Sequence, residues 1–135
     1  MFFLFTTVAL SATYSLAKDG NKYLSSHFKV REFRCKDGSD KIIISSDLVN
    51  LLEKIRNHFG KAVTINSAYR TASYNKKVGG ATNSQHVKGT AADIVVSGVS
   101  PSTVYNYANS INPNGGVGKY NSFTHVDTRG YRARW

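Results

Sequence analysis

The sequence predicts an α+β domain in which a small antiparallel β-sheet packs on helices. Three observations carry that expectation. Leu48, Leu51, Leu52, Ile55 and Phe59 recur at helical spacing on one face, with Ser46 or Asp47 placed to cap the start and Gly60 to end it. Residues 62–66 (AVTIN) and 90–96 (TAADIVV) are runs of strand length, small and then β-branched. Residues 116–119 and 122–128 follow the turn sequence Asn112-Pro113-Asn114-Gly115 and read as a hairpin.

The other elements follow from similar signals. Residues 28–33 (FKVREF) alternate apolar and polar, and turn chemistry at 36–40 precedes Ile42, Ile43 and Ile44, so both stretches are expected to be short strands or extended segments. Residues 72–78 suit a short helix, and residues 79–83 (GGATN) a flexible loop. Ser100 caps a second good helix, with Pro101 at its first position and Val104, Tyr107 and Ala108 on its inner face. No repeat or low-complexity linker interrupts the chain.

A chain of 135 residues is one domain with a single core. Residues 1–17 carry no charge, include an apolar run from Phe2 to Leu10, and end in Ser15-Leu16-Ala17, small residues of the kind a signal peptidase reads. They are read as a signal or leader ahead of a domain over residues 18–135, with an unusual domain start as the alternative. The run falls short of the ~20 apolar residues a spanning helix needs. Cys35 is the one cysteine, which excludes an intramolecular disulfide and a thiolate metal cage and leaves it as a small buried apolar residue. Eighteen Lys and Arg against eight Asp and Glu give a net charge of +10 and predict attraction to polyanions. These cations are scattered and come with no nucleic-acid motif, so a specific nucleic acid is not expected as partner, and a bacterial wall with its anionic cell-wall polymers is an equally good polyanion.

The chemistry concentrates in residues 84–93 (SQHVKGTAAD) and 123–127 (FTHVD). His86, Asp93 and His125 supply two imidazoles and a carboxylate, and a catalytic zinc ion takes three such ligands with its fourth position left open. His86 and Asp93 are too far apart for one helical turn, but a turn at Gly89 running into a strand brings both side chains to one point. Each residue alone reads as an ordinary surface or hydrogen-bonded core group. Together, with His125 in its own apolar, β-branched setting, they read as one metal site.

These residues resemble the zinc D-alanyl-D-alanine carboxypeptidase-like peptidases of peptidoglycan, related in fold to the lysostaphin-type enzymes and the hedgehog amino-terminal domain. The family motif Ser-x-His-x-x-Gly-x-Ala-x-Asp reads here as Ser84, His86, Gly89, Ala91 and Asp93. A later His in a short strand stands at His125, and an upstream Ser-x-Tyr-Arg segment at Ser67, Tyr69 and Arg70. The likeness runs from about Tyr14 to Trp135 and is closest to the small single-domain and phage-associated subgroup.

The resemblance implies Zn2+ held by His86, Asp93 and His125, and hydrolysis of amide bonds in peptidoglycan stem peptides by a carboxypeptidase or an endopeptidase. It implies a monomer working outside the cytoplasm, secreted, wall-associated or phage-delivered. Arg70 is implied as partner of an oxyanion or substrate carboxylate, with a structural salt bridge as its plain alternative. Tyr69, Ser84 and Gln85 are expected to line the substrate groove. The sequence departs from several relatives where they place a Glu three residues before the last zinc His, since Ser122 stands there. Asp127 is then the carboxylate candidate for proton transfer, or a group that orients a ligand or pairs with Arg129, and Glu32 is the reserve. The alternatives to an enzyme are a non-catalytic zinc-containing wall-binding or phage structural module, and a basic nucleic-acid binder.

Overall fold

The computed structural model describes residues 11–135, so the apolar run from Phe2 to Leu10 lies outside the described residues. Strand β1 (Ser11–Ser15) pairs antiparallel with β2 (Lys41–Ser45) in a two-stranded sheet, and α1 (Leu16–Asp19) follows β1 directly. The larger sheet has five strands in the order β3 (Val63–Ser67), β4 (Ala91–Val96), β6 (Thr124–Asp127), β5 (Gly116–Lys119), β7 (Ala133–Arg134). Its first four strands are antiparallel to their neighbours, as expected, while β7 joins β5 in parallel as a fifth strand that the hairpin reading did not contain.

Helix α2 (Ser46–Phe59) buries Leu48, Val49, Leu51, Leu52 and Ile55, the expected stripe with Val49 added, and Gly60 closes it in the left-handed conformation. Helix α3 (Ala72–Lys77) is capped by the Thr71 hydroxyl, which accepts from the Tyr74 N–H. Helix α4 (Pro101–Ile111) starts as the sequence indicates, with the Ser100 hydroxyl accepting from the Thr103 N–H. Helices α2 and α4 cover one face of the sheet, where Ile94, Val96, Val117 and Val126 join Leu52, Ile55, Val104 and Ala108 in a single buried core. Alternation then turns Asp93, His125 and Asp127 to the opposite face. No helix among the described residues is long and apolar enough to cross a membrane.

One local expectation is corrected. Residues 28–33 do not form a strand: Tyr23 and Lys29 make an isolated bridge, and Val30–Phe33 is a 3-10 turn with Glu32 accepting from the Lys29 N–H. Val30 and Phe33 are three residues apart, so a 3-10 turn buries both as well as a strand would. On α2, Glu53 accepts from the Ser25 hydroxyl and the His27 N–H. Near the carbonyl end of α2, the His58 ring stacks on Tyr107 of α4 at 3.6 Å between centroids.

Gly89 connects the two sheets. Its φ of +75° is one that side chains resist, and a Cβ there would lie 2.4 Å from the Ile43 carbonyl oxygen. The Ser45 N–H donates to the Gly89 carbonyl in the same close approach. Gly98 has a similar φ of +73° but open space around it. Alanine at Gly98 is therefore expected to cost only the backbone strain, on the order of 1–3 kcal/mol, and alanine at Gly89 clearly more. Denaturant unfolding of the two variants measures the difference, and equal losses would show that the approach of Gly89 to β2 does not matter.

Candidate metal centre

The strand register builds the site. Asp93 on β4 lies directly opposite His125 on β6, and Ser67 on β3 lies opposite Asp93 on its other side. His86 comes from the turns between the 79–83 loop and β4. Its backbone is held there by the Ser84 hydroxyl, which accepts the His86 N–H, and by the His86 carbonyl, which accepts from the Arg70 N–H. His86, Asp93 and His125 are 5%, 7% and 7% exposed, buried enough that each polar atom needs a partner.

Those partners fix the tautomer of His86 and place His125 between two acceptors. His86 Nδ1 lies 2.7 Å from the Ala68 carbonyl oxygen, which can only accept, so the proton sits on Nδ1 and the Nε2 lone pair is free. That Nε2 lies 3.3 Å from Asp93 Oδ2. His125 presents Nε2 to Asp127 Oδ2 at 2.7 Å and Nδ1 to Asp93 Oδ1 at 2.9 Å. With a cation in place of the Nδ1 proton and Nε2–H donated to Asp127, the Nδ1 lone pair would join that of His86 at Asp93. One ligand atom from each of the three residues lies within 4.8 Å of the others. Ligand atoms about 2.0–2.1 Å from a tetrahedral zinc are roughly 3.3 Å apart, so the donor set and its spacing fit the ion.

Electrostatics agree with a cation site. Burial works to raise the Asp93 pKa, but hydrogen bonds and charge from His125 and His86 outweigh it and hold the carboxyl well below the usual range. Asp127 is completely buried and accepts five hydrogen bonds, from His125 Nε2, the Gly116 N–H, and the N–H, Nε and Nη2 of Arg129. Burial acts against its ionisation too, and the His125 and Arg129 bonds keep it ionised. His125 responds in the opposite sense: burial pushes its pKa down, and the bonds to Asp127 and Asp93 more than reverse that, so it is raised in the metal-free protein.

Arg70 stands beside the cluster, with Nη2 3.5 Å from Asp93 Oδ2, Nε donating to the Ser67 hydroxyl and Nη1 to Asn75 Oδ1. The cluster opens into a cleft of about 600 Å³ lined by Arg70, Ser84, Gln85, Lys88 and Arg129 with the 79–83 loop. Ser84 is buried and occupied with the His86 N–H, and Gln85 accepts from the Thr90 hydroxyl. Tyr69, expected to line the groove, does not: it is 5% exposed in the core, turned inward as its N–H bonds the Phe33 carbonyl. Glu32 is spent on capping the 3-10 turn, and Asp127 lies beneath His125 rather than in the cleft. Asp93 is the one carboxylate lining the cleft among the described residues.

Sequence reasoning missed the aromatic residues Tyr120, Phe123, Tyr131 and Trp135, all of which line the cleft. The dense aromatic content of residues 120–135 was the available signal, but their convergence depends on β7, a strand of only two residues. Comparison with curated proteins returns no match. A family model described as Peptidase M15 matches residues 22–127, a stretch that holds His86, Asp93, His125 and Asp127 and ends with β6. Most of the chain is covered, its fold is the α+β architecture expected of a zinc D-Ala-D-Ala carboxypeptidase-like peptidase, and the chain belongs to the Peptidase M15 family.

Proposed function

We propose that the protein is a zinc peptidase that hydrolyses amide bonds in peptidoglycan stem peptides, as a D-Ala-D-Ala carboxypeptidase or an endopeptidase, outside the cytoplasm or delivered by a phage. The observation that carries the reading is the convergence of His86 Nε2 and His125 Nδ1 on Asp93 at the floor of an open cleft. His86 through Nε2, His125 through Nδ1 and Asp93 through a carboxylate oxygen would hold the ion. When bound, zinc polarises a carbonyl and lowers the pKa of water, the two needs of amide hydrolysis.

The chain's own residues supply the rest. Arg70, braced by Ser67 and Asn75, aims a permanent positive charge at the metal end of the cleft, where it meets the oxygen of a scissile carbonyl or a terminal carboxylate. Asp127 holds His125 in the ligating tautomer and Arg129 holds Asp127, so both act on substrate through His125. Lys88, Arg70 and Arg129 leave the cleft positive, which suits a substrate that carries carboxylates. The full engagement of Asp127 also supports a second reading, a non-catalytic wall-binding or phage structural module that keeps the zinc and lacks a free base.

Purified protein incubated with zinc and muropeptides separates the two. New amine termini, abolished by a chelator and by His86→Ala, support the peptidase; one equivalent of zinc with no new amines supports the module. Asp127→Asn is expected to weaken zinc binding about 10–100-fold while leaving all three ligands in place. A competition titration against a chromogenic chelator reads that change, and an unaltered affinity contradicts the orienting role.

Acid should also release the metal. In the metal-free protein His125 keeps its proton to a pH above the ordinary 6.5, and zinc must displace it. Apparent affinity is therefore expected to be flat at high pH and to fall once pH drops through the raised His125 value, by up to about tenfold per pH unit for each proton taken up. The same chelator assay across a pH series checks the sign.

A further inference from the structure

Five large apolar side chains are exposed among the described residues: Tyr23, Val78, Tyr120, Tyr131 and Trp135. All but Tyr23 line the cleft, which marks that rim as a binding face rather than incidental surface. The rim is built. Gly118 lies opposite His125 in the register of β5 and β6, and a Cβ there would come within 2.5 Å of the Trp135 indole. Only glycine lets that ring settle 5.0 Å from His125. Backbone bonds from the Trp135 N–H to the Val117 carbonyl and from the Lys119 N–H to the Trp135 carbonyl fix its position.

The other rings are braced in turn. Trp135 Nε1 donates to the Tyr120 hydroxyl, and Tyr120 stacks on Phe123 at 4.4 Å. The Arg129 guanidinium, anchored on Asp127, lies 5.1 Å from the Trp135 ring and 5.6 Å from the Tyr131 ring. Tyr120, Trp135 and Tyr131 nonetheless stay 41%, 44% and 61% exposed. These are rings held from the protein side and presented to the cleft.

We propose that this rim is a sugar-binding subsite that takes a pyranose ring of the N-acetylhexosamine glycan to which the stem peptide is attached. Naming that glycan rests on the peptidoglycan reading above. A pyranose has a C–H face that packs on the negative face of an aromatic ring, and an edge of hydroxyl and amide groups that needs polar partners. The cleft offers both, because the tyrosines, Asn83 and Lys88 line it together with the rings. An apolar peptide side chain asks instead for an enclosed apolar pocket, and a cationic one is repelled by Arg129 and Lys88. The subsite adjoins His125, so a bound sugar would deliver its peptide toward the metal end.

Trp135 is the sole tryptophan, and its emission reports on the subsite directly. The probe is the peptide-free disaccharide of N-acetylglucosamine and N-acetylmuramic acid, titrated into the zinc-loaded protein. A saturable change in Trp135 emission is expected, with affinity about two- to tenfold weaker in Tyr131→Ala and retained in Tyr131→Phe, which keeps the ring. No saturable response, or an affinity unaltered in Tyr131→Ala, overturns the proposal. A protein that cuts stem peptides and ignores the disaccharide loses the subsite and keeps the peptidase reading. One that binds the disaccharide and releases no amine from muropeptides keeps the subsite and loses that reading.

Discussion

The pairing of Asp93 with His125 across β4 and β6 is the constraint on which the rest of the site depends. A shift of one residue in that register would send Asp93 or His125 into the face packed under α2 and α4, where a charged group has no partner. The register is held from the core side by Ile94, Val96, Val117 and Val126, so the hydrophobic packing of one face sets the chemistry of the other. Gly89 performs the remaining step: its left-handed turn and its contact with β2 bring the chain from His86 into β4.

Around that pair the protein spends its buried polar groups on orientation. The Ala68 carbonyl selects one tautomer of His86, and Asp127 holds the His125 ring through Nε2. Asp127 is in turn saturated by Arg129 and the Gly116 N–H, and Arg129 is drawn between the rings of Tyr131 and Trp135. A continuous chain of contacts therefore links the aromatic rim to His125. The same aspartate cannot both orient His125 and face the cleft as a free base, which is why proton transfer and metal binding separate as questions.

Much of this was legible in the residues. The stripe on α2, the Ser100-Pro101 start of α4, and the glycine turn before a β-branched run are local patterns, and local patterns survive into the fold. The grouping of His86 with Asp93 was legible for the same reason: their motif compresses a turn and a strand into ten residues. Residues 28–33 misled because their apolar spacing suits a strand and a 3-10 turn equally. Tyr69 and the rim were opaque because the contacts that place them are not local: Tyr69 is tied to Phe33, and the rim rests on the parallel pairing of the two-residue β7 with β5. Tyr69 looked like groove because it precedes Arg70, yet the end of β3 turns it into the core.

The most direct test is the anomalous scattering of zinc-loaded crystals, measured on both sides of the zinc absorption edge. The account predicts one strong site bonded to His86 Nε2, His125 Nδ1 and an Asp93 oxygen, with His125 Nε2 still directed at Asp127. Zinc bonded through His125 Nε2, or with Asp127 in place of Asp93, would contradict it.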